Sequence, residues 1–396
     1  MIKSVHEARD LNRFGLAASL RPRARPGALE RSESSGLVAV PASSQGNRRP
    51  FLQRAAMRIL MVTDAWRPQV NGVVHTLERL TETLKSFDVA VDFLTPNIFR
   101  TLPLPTYPDI RLALTTPGHV ARLIDAGRAD HIHIVTEGPL GIMARRYCRN
   151  AGRPFTTSYH TRFPEYLSAR LPVPESWAYR WLRDFHNSGQ GTLVATQSLA
   201  DDLSARGFTK LRPWTRGVDT DHFRPDKKKD LGFPGPVFLC VGRVAIEKNL
   251  SAFLDLDLPG SKVIVGEGPE LARLKAKYPQ AHFLGHRPND ELAEIYASAD
   301  VFVFPSRTDT FGNVIIEALA SGTPVAAYPV TGPVDIVGDG FGGAVSNDLR
   351  EASLAALNVD RAEARERAMR YSWKACAEMF LDTVEEALGT TRKLAA

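Results

Sequence analysis

The sequence has few cysteines and no long apolar run, and these absences exclude several classes of protein. No window holds the eighteen or more consecutive apolar residues that a membrane-spanning helix needs. The three cysteines, Cys148, Cys240 and Cys376, are far apart and odd in number, so they predict neither a disulfide framework nor a metal-ligand cluster. They fit a reducing compartment. No internal repeat of solenoid period is present.

Surplus positive charge is absent from most of the chain, although the net charge is +6. Residues 1–56 hold ten Lys or Arg and four acids, whereas residues 57–396 hold forty of each sign. The body of the protein therefore gives no electrostatic reason to expect a nucleic-acid partner.

The first 56 residues are rich in Arg, Ser, Pro and Gly and show no sustained periodicity, a composition that predicts disorder. Met57 then opens MRILMVTDAW, the pattern of a first buried strand. We interpret residues 1–56 as a start-site artefact, with Met57 as the true start. A targeting segment is the alternative, because transit peptides are rich in Arg and Ser and poor in acids.

From Met57 onward, short apolar runs alternate with longer amphipathic stretches. Several runs are continuous and β-branched, which predicts parallel strands buried on both faces. Helices between them imply doubly wound sheets. The predicted strands are Arg58–Thr63, Val89–Thr95, His131–Thr136, Phe155–Tyr159, Leu193–Thr196, Val237–Val241, Lys262–Val265, His282–Leu284, Val301–Phe304 and Pro324–Ala327.

A charge run followed by Pro and Gly, DKKKDLGFPGP, interrupts this alternation and is typical of a linker. We predict a Rossmann-like domain at 57–222, a linker at 223–234, a second Rossmann-like domain at 235–370, and a C-terminal helix and tail at 371–396. In doubly wound sheets, ligands lie beyond the carboxyl ends of the strands. Two such domains facing each other therefore define a cleft.

Two strand-end loops of the first domain are candidates for a site. Gly72, in PQVNGVVHTL, stands where the first strand leads into a helix, so backbone N–H groups can approach an anion closely. A plain turn is the alternative, and the loop lacks the GxGxxG pattern of NAD enzymes. His160 follows strand 155–159, where an imidazole can hydrogen-bond a sugar or a developing charge. A structural histidine is equally compatible with the pattern.

Residues 165–188 interleave aromatic and arginine side chains at helical spacing. Such a pattern suits a membrane interface, but we favour a helix that packs its aromatic face on the domain. The residues are Arg170, Trp177, Tyr179, Arg180, Trp181, Arg183 and Phe185.

The second domain carries cations at the end of its first strand. In VGRVAIEKNL, Arg243 and Lys248 are five residues apart, and two cations aimed at one point suit a departing diphosphate. A solvated charged loop is the alternative. At the next strand end, VGEGPE places Gly266 where the backbone can approach a ligand or simply turn.

The stretch FVFPSRTDTFGNVIIEALASGTPV carries the strongest signal. A buried strand ends at Pro305, a polar loop holds Asp309, and Gly312 begins a helix that holds Glu317. N–H groups at such a helix start can bind hydroxyl or phosphate oxygens, and the two carboxylates can accept hydrogen bonds from vicinal hydroxyls. Paired acids also occur in glycoside hydrolases, but the strand-end cations favour transfer from a phosphate-linked donor.

Together these motifs resemble glycosyltransferase family 4. The resemblance covers nearly everything from Met57 to the end of the chain, and its markers are PQVNG, SYHTRF, RGVDTDHF, GR…EKNL, GEGP and SRTDTFGNVIIEALASGTPV. Within the family, the chain is most similar to bacterial α-mannosyltransferases and to diacylglycerol- and sulfoquinovosyl-type lipid glycosyltransferases. The implied fold is α/β, GT-B, with two Rossmann-like doubly wound domains facing across a cleft, and a C-terminal helix.

The resemblance implies that the first domain binds the acceptor and the second the nucleotide-sugar. Its implied catalytic residues are His160 beside the donor sugar, Arg243 and Lys248 on the diphosphate, and Asp309 on the sugar hydroxyls. The family usually has the longer glutamate at position 309. Gly72 would pack against the donor phosphate, and Glu317 would hold the ribose. The implied donor-binding set is Gly72, Gly266, Phe311, Gly312, Asn313, Val314 and Glu317.

The implied reaction is retaining hexosyl transfer from a UDP- or GDP-sugar, without a metal or a resident cofactor. Asp219-Thr220-Asp221 spells the DxD motif of another glycosyltransferase architecture, but it lies beside the linker, so we interpret it as turn acids.

The expected acceptor is a membrane lipid such as diacylglycerol, or a glycan. The expected location is the cytoplasm or, peripherally, the anionic inner membrane face. The alternatives are a GDP-mannose-dependent α-mannosyltransferase with a soluble or polysaccharide product, a sugar-nucleotide epimerase or phosphorylase, and a non-catalytic binding module.

Overall fold

The computed structural model describes residues 57–67, 72–104, 107–168 and 174–389. The predictions for residues 1–56 lie outside these ranges. So do most of the PQVNG motif and Arg170.

The first half of the described chain forms a six-stranded sheet in the order β2-β1-β5-β6-β7-β8, with every pair parallel, and a separate antiparallel hairpin of β3 and β4. Its elements are β1 (Met57–Val62), α1 (Gly72–Lys85), β2 (Val89–Leu94), β3 (Arg100–Leu104), β4 (Tyr107–Leu114), α2 (Pro117–Gly127), β5 (His131–Ile134), α3 (Pro139–Asn150), β6 (Phe155–Tyr159), α4 (Phe163–Ser168), α5 (Glu175–Asn187), β7 (Gly191–Val194), α6 (Gln197–Ala205) and β8 (Leu211–Pro213).

The second half forms another six-stranded sheet in the order β11-β10-β9-β12-β13-β14, again parallel throughout. Its elements are β9 (Val237–Val241), α7 (Leu250–Leu254), β10 (Ser261–Val265), α8 (Leu271–Lys277), β11 (His282–Gly285), α9 (Asn289–Ser298), β12 (Val301–Phe304), α10 (Asn313–Ala320), β13 (Val325–Ala327), α11 (Pro333–Val337), β14 (Gly343–Val345), α12 (Leu349–Ala356), α13 (Arg361–Ala368) and α14 (Trp373–Ala387).

The central strands are buried on both faces, as their continuous apolar runs predict. In β12, Val301 and Val303 belong to one hydrophobic cluster, while Phe302 and Phe304 belong to the cluster on the other side of the sheet. Alternate side chains of a strand point to opposite faces. Four consecutive apolar residues therefore stabilise two helical layers at once.

The last helix, α14, packs on the first sheet and not on the second. Cys376 and Phe380 share a cluster with Ile59 of β1 and with Trp214. The indole Nε1 of Trp214 donates to the carbonyl oxygen of Cys376 at 3.1 Å. The C-terminal helix therefore ties the end of the chain to the first half.

The predicted fold class, two parallel α/β sheets with a C-terminal helix, is confirmed. Four strands escaped prediction: the β3–β4 hairpin, β8 and β14. Both β8 (LRP) and β14 (GAV) have only three residues, too few to show a pattern. Among the described residues, no helix has the length and apolar character that a bilayer crossing requires.

Candidate active site

Two helix starts, one from each half of the chain, meet at the carboxyl ends of the sheets. Gly72 opens α1, and Asn313 opens α10. A Cβ atom added at Gly72 would lie 3.6 Å from Nδ2 of Asn313. The start of a helix carries partial positive charge. The two starts together form a place suited to an anion or to ligand oxygens.

Gly312 shapes the start of α10. Its φ of 91° lies in the left-handed region, and a Cβ atom there would come within 2.9 Å of Ile315 Cδ1 and 3.0 Å of Phe304 Cζ. Any other residue would be strained and crowded. Phe311 is buried against the core, and Val314 is partly buried beside it. The loop is thus anchored by side chains, while its backbone turns into the helix.

Lys248 and Asp309 form an ion pair that the sequence did not predict. Lys248 Nζ lies 2.6 Å from Asp309 Oδ1 and 2.8 Å from Oδ2. Strands β9 and β12 are neighbours in the sheet, so the loops that follow them meet. The side chains are 28% and 18% exposed, which leaves both within reach of a ligand. Lys248, predicted to bind the diphosphate, and Asp309, predicted to bind the sugar hydroxyls, therefore lie in one site.

Arg243 lies in the same loop after β9 but is held more loosely. Its guanidinium Nη1 is 3.9 Å from Glu247 Oε1, and its side chain is 40% exposed. A cation at this position can reach an anionic ligand without breaking a close ion pair.

Gly266 follows β10 and packs against the protein. Its φ is 136°, and a Cβ atom there would overlap the carbonyl oxygen of Gly242. Its N–H donates to Gly285 O at 2.8 Å. The glycine thus lets the loops after β9 and β10 stack, and its contact with a donor stays a prediction.

Glu317 lies on α10 beside a buried tyrosine. The hydroxyl of Tyr296 donates to Glu317 Oε2 at 3.0 Å. Burial raises the pKa of the Glu317 carboxyl to about 7. The group is therefore poised between its neutral and ionised forms near neutral pH.

His160 joins the first half of the chain to the loop that carries Asp309. Its carbonyl oxygen accepts a hydrogen bond from Thr310 Oγ1 at 2.7 Å. Its imidazole Nδ1 lies 3.3 Å from Arg216 Nη2. Burial, together with the charge of Arg216, lowers the pKa of His160 well below its ordinary value.

Arg216 escaped the sequence analysis, although it stands in the quoted motif RGVDTDHF. The acids of that motif, Asp219 and Asp221, are turn candidates, and no local pattern singles out the arginine before them. Asp219 accepts from His222 N at 3.0 Å and pairs with Arg79 Nη2 at 2.6 Å. The arginine is only 4% exposed; burial of a cation is rare, but it is visible only in the structure.

Acidic residues at the strand ends of the first sheet were also missed. Asp64, after β1, accepts from the backbone N–H groups of Leu140 at 3.0 Å and Gly141 at 3.3 Å, and so caps α3. Glu137, after β5, lies 3.1 Å from His186 Nε2 and is 18% exposed. Each acid stands two or three residues beyond the end of its strand, and that position was the available signal.

Further contacts join the two halves around the cleft. In α6, Ser198 N donates to Asp335 Oδ1 of α11 at 2.9 Å, and the Ser198 hydroxyl donates to the other carboxylate oxygen. Arg162 Nη2 lies 3.4 Å from Thr331 Oγ1. The loops of the two sheets thus touch at several points besides Thr310 and His160.

Comparison with known families agrees with this architecture. Residues 70–222 match the family model described as Glycosyltransferase Family 4, and residues 235–359 match Glycosyl transferases group 1.

Three curated relatives are similar over most of the chain. A GDP-mannose-dependent alpha-mannosyltransferase of Mycobacterium tuberculosis is 31% identical over 71% of this chain and 81% of its own length. The sulfoquinovosyl transferase SQD2 of Arabidopsis thaliana is 32% identical over 70% of this chain and 60% of its own length. The alpha-monoglucosyldiacylglycerol synthase of Streptococcus pneumoniae is 27% identical over 76% and 78%.

Among solved structures, the sucrose-phosphate synthase of Thermosynechococcus elongatus superposes with a TM-score of 0.66 at 20% identity. The match covers 84% of this chain and 99% of that one. At this identity the likeness shows the fold, which is GT-B. The fold, both family models and the identity to the mycobacterial relative lead to one conclusion: the chain belongs to glycosyltransferase family 4.

Proposed function

We propose that this protein is a retaining, metal-independent glycosyltransferase that moves a hexose from a nucleotide-diphosphate sugar to a hydroxyl of a membrane lipid. The observation that carries the proposal is the meeting of the two helix starts, at Gly72 and Asn313, in a site that also holds the Lys248–Asp309 pair. Helix starts and cations bind phosphate oxygens, and a carboxylate binds sugar hydroxyls.

The donor would exchange partners with the ion pair. Its diphosphate brings more negative charge than one carboxylate, so it takes Lys248, and Arg243 adds a second cation. Asp309 is then released to accept hydrogen bonds from the sugar hydroxyls. This exchange accounts for a lysine and an aspartate that touch at 2.6 Å while both side chains stay partly exposed.

The remaining groups complete the donor site. The backbone at 311–314 would bind sugar or phosphate oxygens at the start of α10. Glu317 would accept from the ribose hydroxyls, which favours its ionised form. His160 would donate to the donor sugar from the opposite half of the chain.

The chemical step needs no protein nucleophile. The bond between C1 of the sugar and the diphosphate oxygen breaks, and the acceptor oxygen bonds to C1 on the same face. The acceptor proton passes to the departing phosphate oxygen. Arg243 and Lys248 stabilise the charge that develops on the diphosphate, which is the task a divalent metal performs elsewhere.

A lipid acceptor is supported by the surface of α5. Trp177 is 68% exposed and Trp181 is 42% exposed, and the exposed Arg180 and Arg183 flank them. Exposed tryptophans beside arginines suit an anionic membrane interface. The name of the streptococcal relative also includes diacylglycerol. We therefore place the enzyme peripherally on the inner membrane face.

A second candidate is a GDP-mannose-dependent α-mannosyltransferase with a soluble or polysaccharide product. The mycobacterial relative, at 31% identity, carries that donor in its name. The two candidates share the donor site described above and differ in the acceptor, and only the second is committed to GDP-mannose.

A donor and acceptor screen distinguishes these functions. Purified protein is incubated with UDP- or GDP-linked hexoses and with either anionic vesicles containing diacylglycerol or soluble glycans. Labelled glycolipid of retained configuration, formed in the presence of a chelator, supports the first candidate. Product on soluble glycans from GDP-mannose alone supports the second. Isomerised donor without acceptor, or no turnover with any pair, contradicts both.

A further inference from the structure

The buried arginine beside His160 has no role in the donor site as proposed. Arg216 is 4% exposed, and its Nη1 donates to the carbonyl oxygen of Trp214 at 2.7 Å. Its guanidinium carbon lies 4.2 Å from the centre of the Trp214 ring. Among the residues that the structure describes, no carboxylate pairs with it. A cation buried on carbonyls and a ring is expensive to retain for packing alone.

The contact between Arg216 and His160 determines which imidazole nitrogen carries the proton. A guanidinium has only donors, so Arg216 Nη2, 3.3 Å from Nδ1, requires a lone pair on that nitrogen. In the neutral ring the proton then lies on Nε2. Protonation of Nδ1 would remove the acceptor and place a second cation against the first.

The other imidazole nitrogen lacks a protein partner. His160 Nε2 is buried, and no hydrogen-bond acceptor for it occurs in the described part of the chain. A buried hydrogen-bond donor left unpaired destabilises the folded protein. A buried N–H without a protein partner is retained where a ligand supplies the acceptor. His160 also contacts the loop that carries Asp309, because its carbonyl oxygen accepts a hydrogen bond from Thr310.

We propose that Arg216 is a positioning residue that holds His160 as a neutral imidazole with its Nε2–H directed to an oxygen of the donor sugar. His160 then acts as a hydrogen-bond donor and not as a general base. The adjacent guanidinium also polarises the ring and strengthens that donor. The sugar contact rests on the proposed function, whereas the state of the imidazole does not.

Trp214 explains how the arginine is held. Its ring stacks on Arg216 and meets the His160 ring edge-on at 5.7 Å between centroids. Its indole N–H is tied to Cys376 of α14. The other titratable groups that act on His160 are His133 of β5 and His186 of α5, and both disfavour a charged ring as Arg216 does.

The test is nitrogen NMR on the full chain labelled with ¹⁵N-histidine, with the His160 signals assigned by their loss in His160→Gln. In the wild type we expect Nδ1 unprotonated and Nε2 protonated from pH 8 to pH 5. In Arg216→Met, which keeps most of the volume without the charge and the donors, we expect the neutral ring to populate the Nδ1-protonated tautomer as well, because no donor then requires a lone pair on Nδ1. Arg216→Lys keeps a donor and a charge and should behave as the wild type.

The control is Arg361→Met, because Arg361 is also a partly buried arginine bound to carbonyls, those of Ala299 and Ala297, away from His160. It should leave the His160 signals unchanged. A wild-type His160 that is protonated on Nδ1 or titrates near pH 6.5 overturns the proposal even if no variant folds. So does an unchanged ring in folded Arg216→Met.

Kinetics separate this inference from the proposed function. Arg216→Met should lower kcat on the order of tenfold, with a smaller change in KM for the donor, and Arg216→Lys should restore it. Full activity in both Arg216→Met and His160→Gln would contradict the contact between His160 and the donor sugar. The assignment of the imidazole proton to Nε2 in the free protein would be unaffected.

Discussion

At the residue scale, the central feature of the site is a cation and a carboxylate that hold each other before any ligand arrives. Lys248 and Asp309 pair at 2.6 Å. Both side chains are mostly buried, at 28% and 18% exposure, so removing the lysine leaves the Asp309 carboxylate partly desolvated and without this partner. Loss of the pair should therefore reduce stability as well as slow the reaction.

Lys248→Ala tests that expectation. We expect kcat/KM for the donor to fall on the order of 10²–10³-fold, as for the loss of a group that stabilises developing charge, in a protein that is less stable but still folded at the assay temperature. Lys374→Ala is the control, since Lys374 lies on α14 with 76% of its side chain exposed. Unchanged turnover in Lys248→Ala would exclude this lysine from the diphosphate site.

Glu317 leads to a prediction about protons. Its pKa of about 7 in the free enzyme reflects burial. Ribose hydroxyls that donate to the carboxylate stabilise the ionised form and lower that pKa. We therefore expect nucleotide binding near pH 7 to release a fraction of a proton, and affinity to rise between pH 6 and pH 8.

Calorimetry in two buffers of different ionisation enthalpy measures the released proton. In Glu317→Gln the release should vanish and nucleotide affinity should fall. Proton uptake in the wild type, or a release that survives in Glu317→Gln, would contradict the ribose assignment.

At the element scale, α5 carries a buried face and two tryptophans that are exposed at the surface. Tyr179, Leu182 and Phe185 are buried. Two of the aromatic side chains that were predicted to pack on the domain, Tyr179 and Phe185, therefore do so. Trp177 and Trp181 remain at the surface. One helix thus combines a structural face with the face that we assign to the membrane.

Replacing both exposed rings with serine should weaken binding to anionic vesicles, by about tenfold or more per ring because each buries apolar surface in the interface. Turnover on a soluble short-chain acceptor should be kept. Co-sedimentation measures the binding, and Met369→Ser, at another exposed apolar residue, is the matched control. Equal vesicle binding by the wild type, the double-serine variant and Met369→Ser would contradict the assignment of this face of α5 to the membrane.

At the scale of the whole molecule, stability depends on histidines buried in the first sheet. His131 and His133 bond to Thr156 and Ser158, and burial lowers the pKa of each to about 3. Both are neutral in the folded protein. In the unfolded chain they bind protons below pH 6.5, so acid favours unfolding.

We expect stability to decline as pH falls from 6.5 toward 3, by about 1.4 kcal/mol per pH unit for each histidine. Thermal unfolding at pH 7, 6 and 5 measures the trend. His133→Asn should give a shallower dependence. The explanation fails if the exposed-residue variant His119→Asn flattens the dependence as much as His133→Asn does.

Much of the architecture was readable from the sequence. Continuous runs such as VFVF in β12 predict parallel strands with two covered faces, because side chains alternate between the faces. The loops after these strands could be named as site candidates, since ligands of doubly wound folds lie at the carboxyl ends of the strands. Gly312, Asp309 and Glu317 could be identified as candidates in this way, because the inference needs only the boundaries of one strand and one helix.

Only the tertiary structure decided which of those loops touch. Lys248 meets Asp309 because β9 and β12 are neighbours in the sheet, an order that the sequence does not state. Gly72 meets Asn313 because the two sheets pack across a cleft, and Arg216 meets His160 because the strands that precede them, β8 and β6, lie in the same sheet. Local patterns carry information about period and ends of elements, whereas these distances depend on the summed packing of elements far apart in the chain.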